Sequence, residues 1–388
     1  MDTKTLTDLY VGRHGETVVT VVLDTSGQGE EAAERLAVRW KDVVRELRAA
    51  GVDPATLAAL DDGFGEAPYN LGDTRALVAA DGRLDLATSL PEPPVTEVVQ
   101  VSPLPSLLPL AEALQNTVPH LLVLTDRTGA DILQHTGGSA DAQRLTVTTA
   151  HYPLHKTGTG GTAVLKYEHT VEENWKASEK EVAEAVTHAA DAIGAKLLIV
   201  AGDVRAEHGL REYLPERLQP LVVIIQGGRG HDGSEPLVAR RAQKVIQDYL
   251  DRSAAELLTE FAKYRNRATK LAEGERLADA GQPVAAKAAD GPWAVSEAFR
   301  QAQVGTLLLT DELDGQERAW FGPEPTDIAM REQTLRDLGI TRPLSAPLPD
   351  VLLRAALGTD AEVRKVPYEG EAAPRDGVGA LLRYNPVG

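Results

Sequence analysis

The sequence predicts an α/β protein of three domains, with a mixed-sheet middle domain and a C-terminal α/β/α sandwich. Three observations carry that expectation. Short β-branched runs, such as TVVTVVLD at 17–24, alternate with long amphipathic stretches. From about residue 117 a β-meander is followed by helix, strand, helix and strand, an order that suits a mixed sheet with helices packed on it. An unbroken helical spacing then runs from about Pro236 to near Leu277 and leads into the last domain.

Taken in order, residues 17–24 are short and β-branched enough for a buried strand. Residues 28–50 place Ala33, Leu36, Ala37, Trp40, Val43, Val44 and Leu47 on one helix face. Asp53-Pro54 opens a short helix, with Asp as cap and Pro at the first position. Residues 75–89 read as a hairpin around Asp81-Gly82, and 95–101 as a further strand. The prolines of PLPSLLPL at 103–110 break both helix and sheet and mark a boundary. The expected domains are 1–115, 117–235 and 236–388. In the second, 120–125, 131–135 and 144–150 are strands. A helix over 176–193 then carries Val182, Ala185, Val186, Ala189 and Ile193 at core spacing, and strands at 196–201 and 221–226 flank a short helix. In the third, helices are expected over 293–303, 326–338 and 350–357, and strands over 305–310, 362–366 and 379–383.

Composition narrows the function. The chain has 388 residues, 43% of them hydrophobic, so it can build sizeable cores. It has no cysteine, which excludes disulfides, thiolate metal sites and cysteine nucleophiles. The first residues lack an apolar signal region, and no run approaches the roughly 20 apolar residues of a membrane span. The cytoplasm is the expected location, with no membrane partner. The formal charge of -18 repels nucleic acid on average. Binding to RNA must then rest on local patches, which screening over about 10 Å permits.

One stretch invites such a role. Residues 151–176 read HYPLHKTGTGGTAVLKYEHTVEENWK. His155, Lys156, Thr157, Gly158, Thr159, Gly160, Gly161 and Thr162 form a loop without a bulky apolar side chain. Its glycines reach backbone angles closed to other residues, so its amides can approach a polyanion closely. It matches neither GxxxxGK followed by Ser or Thr, nor GxGxxG with an acidic residue about 20 positions on. His151 and His155 are four apart, but Pro153 between them argues against the helix that a metal-binding pair needs, and solvated loop histidines are the better reading. QGGRGHDG at 226–233 offers Arg229 and His231 as RNA contacts, set against a plain turn before the long helix. The charge run 168–184 reads as a solvated helix face. No cofactor, no metal and no Ser-His-Asp ordering is expected.

With these elements in place, the chain resembles the archaeal and eukaryotic class I release factors and Pelota, through their bacterial relatives. Four stretches carry the likeness. Thr159-Gly160-Gly161-Thr162 stands where release factors have Gly-Gly-Gln followed by a charged helix. VGTLLLTDE at 304–312 is similar to a third-domain strand of the family. DGVGALLRY at 376–384 is similar to its terminal strand. The domain order, with a long helix leading into the last, is the fourth.

The resemblance implies a tRNA-shaped factor in the ribosomal A site, its glycine loop directed at the peptidyl transferase centre and rRNA. It implies EF-Tu or another translational GTPase as partner, and among bacterial relatives it points to the Balon group of hibernation factors. One departure bears on chemistry. The family's Gln positions the water that attacks peptidyl-tRNA, and position 162 here is Thr. Its hydroxyl is shorter and lacks the paired donor and acceptor of an amide. No stop-codon motif such as Asn-Ile-Lys-Ser occurs in 1–115. The expectation is a factor of hibernation or protection that does not release peptide. The alternatives are a peptidyl-tRNA hydrolase acting on stalled ribosomes, in which Thr162, Thr159 or His155 orients the water, and an RNA binder that works away from the ribosome.

Overall fold

The computed structural model describes residues 3–10, 17–27, 30–65, 74–90, 96–115, 118–126, 129–136, 143–148, 161–229, 235–272, 287–313, 315–368 and 370–383, with backbone alone at 161–175 and 267–272. The first segment contains α1 (Thr3–Asp8), β1 (Val18–Asp24), α2 (Glu30–Ala49), α3 (Pro54–Phe64), β2 (Thr74–Ala80), β3 (Arg83–Leu90), β4 (Val98–Ser102) and α4 (Leu108–Gln115). The second contains β5 (His120–Asp126), β6 (Gly129–His135), β7 (Gln143–Thr148), α5 (Gly161–Ile193), β8 (Leu197–Gly202), α6 (Val204–Tyr213) and β9 (Val222–Ile224). The long α7 (Glu235–Ala272) follows. The last segment contains β10 (Ala288–Asp290), α8 (Pro292–Arg300), β11 (Val304–Leu309), β12 (Arg318–Phe321), β13 (Ile328–Ala329), α9 (Glu332–Asp337), β14 (Leu344–Pro347), α10 (Leu348–Gly358), β15 (Glu362–Lys365) and β16 (Val378–Leu382).

Two compact units result: Met1–Gln115 with Ser253–Gly388, here the terminal unit, and Asn116–Arg252, the middle unit. The first and last of the three segments drawn from the sequence thus share one core. In the terminal unit the sheet β3–β2–β1–β4 is antiparallel throughout. β1 is apolar on both faces because both are covered. Val19, Val21 and Leu23 meet Trp40, Val43, Leu57 and Leu60 of α2 and α3. Val18 and Val22 join a cluster with Phe299, Phe321, Val351 and Leu352 of the last segment. Asp53 caps α3 by accepting from the amides of Ala55 and Thr56. Asp81 and Gly82 both take positive φ, 51° and 73°, as a two-residue hairpin turn requires.

The last segment is an α/β/α sandwich around the mixed sheet β10–β16–β11–β15. Ala254, Leu258 and Phe261 of α7 cover Leu308 on one face. Phe299 of α8 and Leu352 of α10 lie with Leu307 and Leu309 on the other. Three expectations change. The proline-rich stretch is core, not boundary: Leu104, Leu107 and Leu110 are fully buried, and Pro109 sits in the first turn of α4, where its missing N–H has no partner to lose. Residues 326–338 divide into β13 and α9, because Ile328 and Ala329 pair with Phe321 and Trp320. The small antiparallel sheet β13–β12–β14 is an addition.

In the middle unit the sheet order is β7–β6–β5–β8–β9. β5, β8 and β9 are mutually parallel, while β6 and β7 are antiparallel hairpin strands. Val182, Ala183, Val186 and Ala190 of α5 pack on one face, and Val238, Ala242 and Ile246 of α7 on the other. His120 and His135 stack across β5 and β6, with ring centroids 4.3 Å apart and planes 5° from parallel. His120 Nδ1 donates to Val118 O at 2.7 Å. Burial, then the neighbouring His120, lowers the His135 pKa to about 4. A depressed histidine pKa favours the neutral ring in the fold, so the stability it confers is lost as pH falls from about 6.5 toward 4. After allowance for partial exposure the loss is about 1 kcal/mol. His135→Phe, which keeps the stack, is expected to remove that part of the acid sensitivity in urea unfolding.

Candidate functional site

The parallel strands β5 and β8 end side by side at Thr125 and Gly202. This carboxyl-terminal edge is where open α/β sheets characteristically bind their ligands. Gly129 opens β6 at φ 146°, and a Cβ there would lie 2.0 Å from Val147 O. Gly202 is equally constrained, since its Cβ would lie 2.0 Å from Thr125 O. β7 pairs Thr148 with Gly129, so the chain leaves the sheet for the glycine loop at this same edge. It returns in α5, whose first residue is Gly161.

The edge is built from charges that satisfy one another. Arg229 Nε meets Asp131 Oδ2 at 3.2 Å, and its Nη1 meets Asp126 Oδ1 at 3.4 Å. Arg144 Nη2 reaches Asp131 Oδ2 at 3.0 Å. Burial pushes the Asp131 carboxyl up, but hydrogen bonds from Arg229, Thr146 and Arg144 outweigh it and hold the pKa below the usual value. Burial lowers and Asp131 raises the Arg229 guanidinium, with a net rise. Glu207 accepts from the Gly202 amide at 3.0 Å, and Asp203 caps α6 at Arg205 N. Burial raises the Glu207 pKa. The cavity among Thr125, Asp126, Gly129, Ser178 and Arg205 measures about 30 Å³, room for a water and not for a substrate. Arg229→Leu would leave Asp131 with the partly exposed Arg144 and the Thr146 hydroxyl, and is expected to destabilise the middle unit by about 2 kcal/mol in chemical denaturation.

α5 gives the edge its reach. Ser178 and Glu179 border that cavity, so they lie at the end of the sheet. Gly161 is seventeen residues earlier in the same 33-residue helix, about 25 Å away along its axis. Of the residues singled out from the sequence, Gly161 and Thr162 start this helix, and Arg229 sits in the ion-paired edge. His155, Lys156, Thr157, Gly158, Thr159, Gly160 and His231 lie outside the described residues. The carboxylates of Asp126 and Asp131 were not anticipated. Their signal was two aspartates flanking a glycine turn in DRTGAD at 126–131.

Residues 119–267 match the model of the bacterial archaeo-eukaryotic release factor family 2. The likeness to bacterial relatives of the release factors thus holds across the unit whose sequence contains the glycine loop, and the match spans less than half of the chain. Over 368 residues the chain is 27% identical to the uncharacterized protein Rv2629 of Mycobacterium tuberculosis H37Rv, covering 94% of this chain and 92% of that one. The uncharacterized protein MT2704 of strain CDC 1551 matches to the same extent. Among solved structures, Archaeoglobus fulgidus Pelota is 14% identical, with coverage of 100% of this chain and 92% of that one and a TM-score of 0.33. S. cerevisiae Dom34, a translation termination-like factor that interacts with Hbs1, is 13% identical with 80% of each chain covered and a TM-score of 0.34. Superpositions this loose carry no functional argument. Among the described residues, no helix is long and apolar enough to cross a membrane.

Proposed function

We propose that this release-factor-like protein is a cytoplasmic, ribosome-associated factor that occupies the A site without releasing peptide, in hibernation or protection of the Balon type. The observation that carries this reading is the family match over 119–267, the unit that also bears the long helix α5. A helix begun by Gly161 and extended about 25 Å past the sheet is suited to carry a slender loop into a confined RNA site. The loop, His155 to Thr162, would meet ribosomal RNA through backbone amides and Lys156. EF-Tu or another translational GTPase would deliver it. The proposed roles follow the three segments: 1–115 toward the decoding centre, 117–235 toward the peptidyl transferase centre, and 236–388 toward the GTPase.

Thr162 argues against hydrolysis. Misplacing an attacking water by about 1 Å costs about a hundredfold in rate, and the threonine hydroxyl falls short of where a glutamine amide would hold it. Sucrose gradients of stressed cells are expected to show the protein in 70S fractions. Added to ribosomes loaded with peptidyl-tRNA, it is expected to bind and to release peptide about a hundredfold more slowly than a Gly-Gly-Gln factor. Release at a comparable rate that is lost on Gly161→Ala or Thr162→Ala would establish the hydrolase instead. Absence from 70S fractions would overturn both.

A further inference from the structure

The terminal unit contains a cleft that the ribosomal reading does not use. It lies between β4 and α4 on one side and β11 and α10 on the other, with a volume of about 580 Å³. Small-molecule sites typically span about 300–1,000 Å³. Val98, Leu309 and Pro349 give it an apolar wall. Among the described residues, four carboxyl groups border it, Glu97, Glu112, Asp311 and Asp350, against one cation, Lys365.

Three of the four carboxylates already have cations. Glu97 pairs with Arg39 at 2.8 Å. Glu112 and Asp311 hold Lys365 Nζ at 3.0 and 2.5 Å. Asp350 differs. It is 1% exposed, and its hydrogen bonds come from neutral Gln100, at 2.7 Å, and Ser106. Arg318 on β12 acts on it only through its charge, and the buried Tyr10 phenol feels both Asp350 and Arg354. A buried carboxyl without a bonded cation, on the wall of an amphipathic cleft, lacks the partner that such groups ordinarily have.

We propose that this cleft binds a small organic cation, a primary amine on a short aliphatic body, with its ammonium on Asp350 and its methylenes on the apolar wall. Burial has pushed the Asp350 carboxyl up to about 7, so near neutrality a substantial fraction of it is protonated. An arriving ammonium displaces that proton to solvent, and binding releases up to one proton per site. Lys365 is not the receiver, because Glu112 and Asp311 hold its ammonium charged. The site is independent of any ribosomal role.

Titration calorimetry of the full chain with n-butylamine and putrescine tests this, with n-butanol as the neutral probe and two buffers of different ionisation enthalpy. Both amines are expected to bind with proton release near pH 7, more tightly as pH rises through that value, and butanol at least tenfold more weakly. Asp350→Asn, nearly isosteric, is expected to cut amine affinity about tenfold or more and abolish the proton release, the loss of one charge-assisted bond. Glu112→Gln, made separately, is expected to weaken the site less and leave the release in place. A chain of net charge -18 attracts amines everywhere, so the variants decide. Binding equal in the native chain and Asp350→Asn is surface attraction and overturns the proposal, as do amines that bind no better than butanol. If Asp350→Asn does not fold, absence of proton release in the native protein overturns it alone.

Discussion

Replacing Arg354 by leucine is expected to lower the unfolding free energy of the terminal unit by about 3–5 kcal/mol. Arg354 is 4% exposed, in the middle of α10. Its Nη1 donates to Glu324 O at 3.0 Å, and its Nη2 donates to Gly322 O at 3.0 Å and Pro323 O at 2.6 Å. The guanidinium carbon lies 5.2 Å from the centroid of the Phe321 ring. Three successive carbonyls just after β12 therefore share one side-chain donor, and Glu324 O also accepts from the Asp327 amide at 3.0 Å. Leucine fills part of the volume but leaves the buried Gly322 carbonyl and the part-buried Pro323 carbonyl without this donor, where each unmade buried bond costs about 1–3 kcal/mol. Burial lowers the Arg354 pKa, with Asp327, Tyr10 and Glu324 pulling the other way. Arginine stays charged because its intrinsic pKa is so high. Arg354→Lys keeps a charge but not the planar fork that reaches three carbonyls. It should lose about half as much as the leucine variant. Urea unfolding followed by far-ultraviolet dichroism measures both. A loss below about 1 kcal/mol for the leucine variant would show that the carbonyls find other donors.

These dependences explain which parts of the fold were legible. Residues 17–24, the Asp53-Pro54 cap and the Asp81-Gly82 turn are local signals, and the structure repeats them. The succession of elements in the middle unit, a meander and then helix, strand, helix and strand, followed from local signals too. What was lost is non-local. Leu104, Leu107 and Leu110 read as a boundary because prolines separate them, yet they share a core cluster with Phe299 and Leu352, nearly two hundred residues or more away. β12, β13 and β14 are four, two and four residues long. Strands that short have no period to read, and each exists because the others pair with it. The ion pairs of Arg229 with Asp126 and Asp131 join groups 103 and 98 residues apart. The sequence offers Arg229 as an RNA contact or as part of a plain turn, and these distant partners are out of its view. At the glycine loop the situation is reversed. The sequence marks it by what is missing, bulky apolar residues, while the structure describes the strand that leads to it and the helix that follows.

Asp350 is expected to make a large pH-dependent contribution to stability, and its sign is opposite to that of the histidine pair. Burial pushes its carboxyl up to about 7, with Gln100, Ser106 and Arg318 pulling down less strongly. A carboxyl whose pKa is raised on folding holds its proton in the fold and releases it on unfolding. Its stabilisation is complete below the unfolded value of about 4 and is lost as pH rises through 7. The whole shift corresponds to about 4 kcal/mol, a thousandfold in the folding equilibrium. Asp350→Asn removes the titration and keeps the shape, and its amide can still bond to Gln100. Unfolding free energies of both proteins near pH 5 and pH 8 isolate the effect, because every other group cancels in the double difference. The native chain should lose about 2–3 kcal/mol more than the variant over that interval, and the variant should be the more stable of the two at the alkaline end. Equal pH dependence in the two proteins would mean that Asp350 is ionised in the folded state. Its charge would then need a counter-ion inside the cleft, and Asp350→Asn would destabilise the chain at pH 8 rather than stabilise it.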